Sequence, residues 1–127
     1  MKIVIIGSGN VAYHLAKAFT QNSIEVSQIF GRNEVELNKI SEELNIPYST
    51  KELADADLYL ISVSDSAVEQ VSDLIRTEKA LVAHTSGSLP IETLNGDYRK
   101  ASFYPLQTFS KTKNLDYSKI PFFIEAE

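Results

Sequence analysis

Gly7-Ser8-Gly9-Asn10-Val11-Ala12 has the spacing G-x-G-x-x-A. Its place gives the pattern meaning: the apolar run Ile3-Val4-Ile5-Ile6 stands directly before it and a helical pattern directly after. In that setting Gly7 makes a tight turn, Gly9 lets the backbone approach a pyrophosphate, and Ala12 allows helix and strand to pack closely. Ser8, Asn10 and Val11 complete a turn whose free N–H groups and helix dipole favour an anion. These residues point to a dinucleotide site. The plainer alternative is a glycine turn joining strand to helix in a protein that binds no nucleotide.

A second position bears on which dinucleotide. About 20 residues past such a fingerprint, an NAD site places a carboxylate for the ribose 2′-hydroxyl. Here the stretch is Ile29-Phe30-Gly31-Arg32-Asn33, and the first carboxylate is Glu34. Arg32 suits a 2′-phosphate and stacks readily on an adenine. Asn33 can donate to the same phosphate and cap the following helix. NADP(H) is the expected cofactor; the alternative is a solvated Arg32 in a turn.

Ligands of open α/β sheets lie beyond the carboxyl ends of the strands, so further strand ends share this crevice. At Val63-Ser64-Asp65, the backbone of Val63 and Ser64 is expected to flank the nicotinamide ribose. Ser64 and Asp65 can equally be helix caps. His84-Thr85-Ser86-Gly87-Ser88 brings hydroxyls and a flexible backbone to the expected nicotinamide. Thr85, Ser86 and Gly87 are the candidate substrate contacts. Ser86 and His84 are the candidate catalytic groups, His84 as a proton donor. A hydrogen-bonded core histidine and a plain glycine turn are the alternatives. Tyr104-Pro105-Leu106 forms the third strand end.

The elements that must position these residues follow from periodicity. Strands are expected at Ile3–Ile6, Ile24–Phe30, Ile46–Tyr48, Leu58–Val63, Ala80–Ala83, Ala101–Tyr104 and Pro121–Ile124. Val11, Ala12, Leu15, Ala16 and Phe19 share one helical face, and Val35, Leu37, Ile40 and Leu44 another. The capping-box spacings Ser49/Glu52 and Ser66/Glu69 predict two further helices, and Pro90 a first helical position. Residues 107–119 are polar and predict a surface loop. This alternation implies an α/β fold: a doubly wound, mostly parallel sheet with helices on both faces, one domain over residues 1–127.

Composition narrows the function classes. The chain is 43% hydrophobic and 23% charged, that of one ordinary globular domain. Without cysteine it has no disulfide or thiolate metal site, and His14 and His84 stand far apart, so no metal is expected. A net charge of −5 argues against nucleic acid and anionic membranes as partners. No leader or membrane-length apolar run is visible, so a cytoplasmic location is expected.

His84-Thr85-Ser86-Gly87 and Tyr104-Pro105-Leu106-Gln107-Thr108-Phe109-Ser110, with the two earlier motifs, make a more selective match. The chain resembles a family of bacterial two-domain Rossmann-like oxidoreductases of unknown substrate, related to pyrroline-5-carboxylate reductase and F420-dependent NADP reductases. The resemblance covers essentially the whole chain. It implies an all-helical domain following this one, supplying a homodimer interface and part of the pocket for a small-molecule substrate. One departure is Tyr104, where relatives often carry His, so a proton relay is not carried over to that strand end.

The function expected is the cofactor-binding half of an NADP-dependent reductase acting on a C=N or C=O bond. A non-catalytic NADP(H)-sensing module is the alternative. A methyltransferase on the same fold fits less well, because Arg32 stands where an acidic residue usually holds a ribose.

Overall fold

The computed structural model describes residues 1–105 and 122–126, with side chains as far as Phe103. Strand β1 (Ile3–Ile6) is buried on both faces, as its unbroken β-branched sequence requires. It pairs in parallel with β2 (Val26–Phe30) on one side and β4 (Leu58–Ile61) on the other. Strand β3 (Tyr48–Ser49) extends the sheet beyond β2. Strands β5 (Leu81–His84), β6 (Arg99–Pro105) and β7 (Phe122–Ala126) extend it beyond β4. The order is β3-β2-β1-β4-β5-β6-β7. All neighbours are parallel except β7, which runs antiparallel to β6.

Helices cover both faces. Side chains alternate across a strand, so Ile3 and Ile5 meet Leu15 and Ala16 of α1 (Asn10–Gln21) and Leu37 and Ile40 of α2 (Glu34–Leu44). Val4 and Ile6 meet Val68 of α3 (Asp65–Ser72), then Ile75, Leu94 and Tyr98. Each large aliphatic side chain removed from water contributes about 1.5–3 kcal/mol. The doubly wound α/β expectation is the fold observed.

Several boundaries differ from the sequence expectation. Val26, not Ile24, opens β2, because Ser23 turns at φ 59° and leaves Ile24 40% exposed. Strand β3 starts after Pro47, which has no N–H to pair. Strand β4 ends at Ile61 rather than Val63. The Ser49/Glu52 pair opens no helix. Ser49 Oγ does accept from the N–H groups of Lys51 and Glu52, at 3.1 and 3.0 Å. Beyond it, Gln28 binds the Glu52 carbonyl and the Ala54 N–H, both at 2.9 Å, and Tyr59 binds the Ala54 carbonyl. Those tethers use backbone groups that a helix would need.

Helix α3 begins at Asp65, with Ser64 as its N-cap residue, not at the Ser66/Glu69 spacing. Pro90 precedes a single 3-10 turn, Ile91–Thr93, instead of opening an α-helix. The turn stops because Asn95 N–H donates to Ser72 Oγ and Tyr98 donates to the Asn95 and Ser72 carbonyls. The loop expected at 107–119 and the motif continuing from Leu106 to Ser110 lie outside the described residues. Among those described, no helix is long and apolar enough to cross a membrane.

Candidate functional site

The crossovers through α1 and α2 lie on one face and α3 on the other, so the connections diverge at the carboxyl ends of β1 and β4. A crevice at that point is a general consequence of the topology. Here it is a cleft of about 640 Å³.

The glycine turn forms its floor. Gly7 has φ 134°, and a Cβ there would lie 2.1 Å from the Ser62 carbonyl oxygen of the next strand connection. No other residue type fits. Ala12 is buried 3.5 Å from the same point, the close packing its small size allows. At Gly9 a Cβ would meet nothing within 4 Å, because that position faces the open cleft. Gly9 is also the N-cap of α1, with no side chain to cap the helix and no acidic residue in its first turn. The N-cap residue thus leaves the first N–H groups of α1 without a side-chain cap at the cleft floor, where Ser8, Asn10 and Val11 also stand. Helices α2 and α3 differ, with Glu34 and Glu36, and Asp65, in their first turns.

At the β2 end, Arg32 is exposed and lines the cleft. Among the described residues it has no carboxylate partner; the ion pair found is Lys39–Glu36. Asn33 caps α2, its Oδ1 accepting from the Glu36 N–H at 3.1 Å. That bond leaves the two amide donors of Asn33 for another acceptor.

At the other end, Val63, Ser64, Thr85 and Ser86 reach the cleft; His84 and Gly87 do not line it. His84 is fully buried. Its Nδ1 accepts the Ser86 N–H at 3.2 Å, so its Nε2 carries the proton and donates to the Pro90 carbonyl at 3.2 Å. The geometry makes His84 the brace of its own loop, not a proton donor to the cleft. Thr85 donates toward the Ser62 hydroxyl and the Ile61 carbonyl at 3.3 and 3.4 Å. Ser86 Oγ accepts from the N–H groups of Ser88 and Leu89 and lies 3.2 Å from Ser88 Oγ.

Local sequence spacing did not reveal the contact between Ser88 Oγ and Asp65 Oδ2, 2.7 Å long, which closes this end across 23 residues. Nor did it mark the apolar wall that Ala67, Val71 and Leu74 present to the cleft. Leu74 is 51% exposed, and that exposure is the structural signal for the wall.

Residues 2–87 match the family model described as NADP oxidoreductase, coenzyme F420-dependent. The chain belongs to that family. Within the wider fold, a Bacteroides fragilis protein provisionally named an NADP oxidoreductase is 37% identical over 98% of this chain and 51% of its own, with a TM-score of 0.89. Thermotoga maritima protein TM1727 is 18% identical over 98% of this chain and 49% of its own, at 0.76. A pyrroline-5-carboxylate reductase from Coxiella burnetii is 20% identical over 81% and 43%, at 0.65; these last two share the fold. No curated protein matches. The chain spans about half the length of the first two structures. It is thus a Rossmann-type domain of the NADP oxidoreductase-like kind.

Proposed function

We propose that this chain is the NADP(H)-binding half of an oxidoreductase that reduces a C=N or C=O bond of a small metabolite. The observation that carries the proposal is the pairing at the cleft: an uncapped start of α1 beneath the open Gly9 position, and, where β2 ends, an Arg32 with no carboxylate partner among the described residues. The pyrophosphate would lie on the N–H groups of α1. The 2′-phosphate would lie against Arg32 and the free amide of Asn33. Val63 and Ser64 would flank the nicotinamide ribose, and Thr85 and Ser86 the ring and the substrate. Bound there, the cofactor supplies the hydride. The chain's own residues orient the cofactor and exclude water along the Ala67–Leu74 wall.

Titration of the chain with NADPH and NADH, for the native protein and Arg32→Ala, tests this. One charge-assisted hydrogen bond corresponds to about 1.5–3 kcal/mol. NADPH should bind tighter than NADH by roughly tenfold to a hundredfold, and Arg32→Ala should remove the difference. Equal affinities in the native protein would refute the cofactor assignment.

A second reading, a non-catalytic NADP(H)-sensing module, draws on one observation: the His84 ring and the Ser86 hydroxyl are both committed within their own loop. For an enzyme, the proton that accompanies the hydride would then come from water or from a second, helical domain, which would also form a homodimer interface. Ser86→Ala in the full-length protein separates the two. Lost turnover with retained NADPH binding supports an enzyme; no turnover of any imine or ketone by native protein supports a sensor.

A further inference from the structure

Of the described side chains that line the cleft, two are charged, and they stand at opposite ends. Arg32 follows β2 and Asp65 follows β4, with β1 between, about 10 Å of sheet apart at two interstrand spacings. A dinucleotide whose 2′-phosphate meets Arg32 and whose pyrophosphate crosses α1 brings its nicotinamide to the loops after β4 and β5. Asp65 lies there. An exposed carboxylate ordinarily samples several positions, but this one is fastened. Ser88 gives its single hydroxyl proton to Asp65 Oδ2 at 2.7 Å. The 3.2 Å contact between the two serines must therefore be donated by Ser86. Ser86 Oγ is itself held by the N–H groups of Ser88 and Leu89, at 3.1 and 3.3 Å. The chain of bonds runs from the cleft wall at Ser86 through Ser88 to the carboxylate.

The nicotinamide ring is a cation when oxidised and neutral when reduced. We infer that Asp65 makes the cleft discriminate the oxidation state of its cofactor, holding NADP⁺ more tightly relative to NADPH than the rest of the site does. This rests on the dinucleotide reading above. The partial positive charge at the start of α3 offsets some of the effect, and solvent weakens what remains. A unit charge about 4–6 Å away in water corresponds to about a three- to sixfold change in affinity.

The test is titration of the full-length protein at low ionic strength with NADP⁺, NADPH and adenosine 2′,5′-bisphosphate, which lacks the nicotinamide. Asp65→Asn keeps the size of the side chain and removes its charge. It should lower Kd(NADPH)/Kd(NADP⁺) by about three- to sixfold, chiefly by weakening NADP⁺, and leave the bisphosphate unchanged. Ser88→Ala keeps the charge but unfastens it, and should shift the ratio in the same direction by less. An unchanged ratio in Asp65→Asn, with both dinucleotides bound, overturns the inference alone. Equal weakening of all three ligands makes Asp65 a structural residue and also overturns it. Binding of none of them by native protein removes the dinucleotide reading on which it rests.

Discussion

Gly7 and Gly9 stand two positions apart and answer to different demands. At Gly7 the backbone is left-handed, at φ 134°, and a Cβ would collide with the Ser62 carbonyl. Gly7→Ala therefore forces β1 and β4 apart at the switch point, and should cost more than about 3 kcal/mol. At Gly9 the added methyl enters open space, so Gly9→Ala should cost under about 1 kcal/mol in stability, the price of a poorer N-cap. It should nonetheless weaken NADPH binding. Thermal melts beside titrations check both; a Gly9→Ala protein that melts normally and binds normally would contradict the proposed pyrophosphate position. The glycine turn and Arg32 were legible in the sequence because residue type itself expresses backbone freedom or missing acid there. His84 was legible both as a proton donor and as a hydrogen-bonded core residue, and the folded loop decides for the second: its partners are a carbonyl six residues on and an N–H two residues on. The link between Asp65 and Ser88 was hidden, because they are joined only once two loops meet.

Elements were legible where burial alone decides them. Strands β1 and β4 and helices α1 and α2 follow from apolar spacing. Where a side chain from elsewhere takes the backbone groups, local spacing misleads: Gln28 undoes the helix after Ser49, and Tyr98 and Ser72 halt the turn after Pro90. Tyr98 thereby ties the end of α3 to the approach to β6. Burial pushes its phenol above the ordinary value of 10.0, outweighing the lowering by its bond to Ser72, with the charge of Asp73 raising it further. Burial likewise raises Tyr59. A neutral phenol is thus favoured by the fold. The contribution is complete below pH 10 and is lost as pH rises through the higher folded value. Native protein should lose stability above about pH 10. Tyr98→Phe should cost about 1–3 kcal/mol at neutral pH, leaving buried carbonyls with one donor fewer, and should flatten the alkaline loss. Urea unfolding across pH 7–11 would show this; an equally steep alkaline loss in Tyr98→Phe would place its cause elsewhere.

On the scale of the molecule, the residues proposed to hold the cofactor are gathered around one cleft, and of those proposed to meet a substrate Thr85 and Ser86 line it. The chain spans about half of the solved structures it matches. Residues 1–127 alone should bind NADPH yet consume it with imines or ketones far below the ordinary enzyme range of about 1–1,000 per second. Loss of NADPH absorbance at ordinary rates from the isolated domain would show that it needs no other part. The cap of α2 has a consequence for descent. Asn33 holds the helix through its Oδ1 and stands in the lining of the cleft. Asp caps a helix about as well as Asn, yet would turn the proposed donor to a 2′-phosphate into a charge that repels it and accepts from a ribose hydroxyl. Preference for one dinucleotide or the other can therefore change in this lineage by a step to which folding is indifferent, so close relatives should differ in cofactor more readily than in fold.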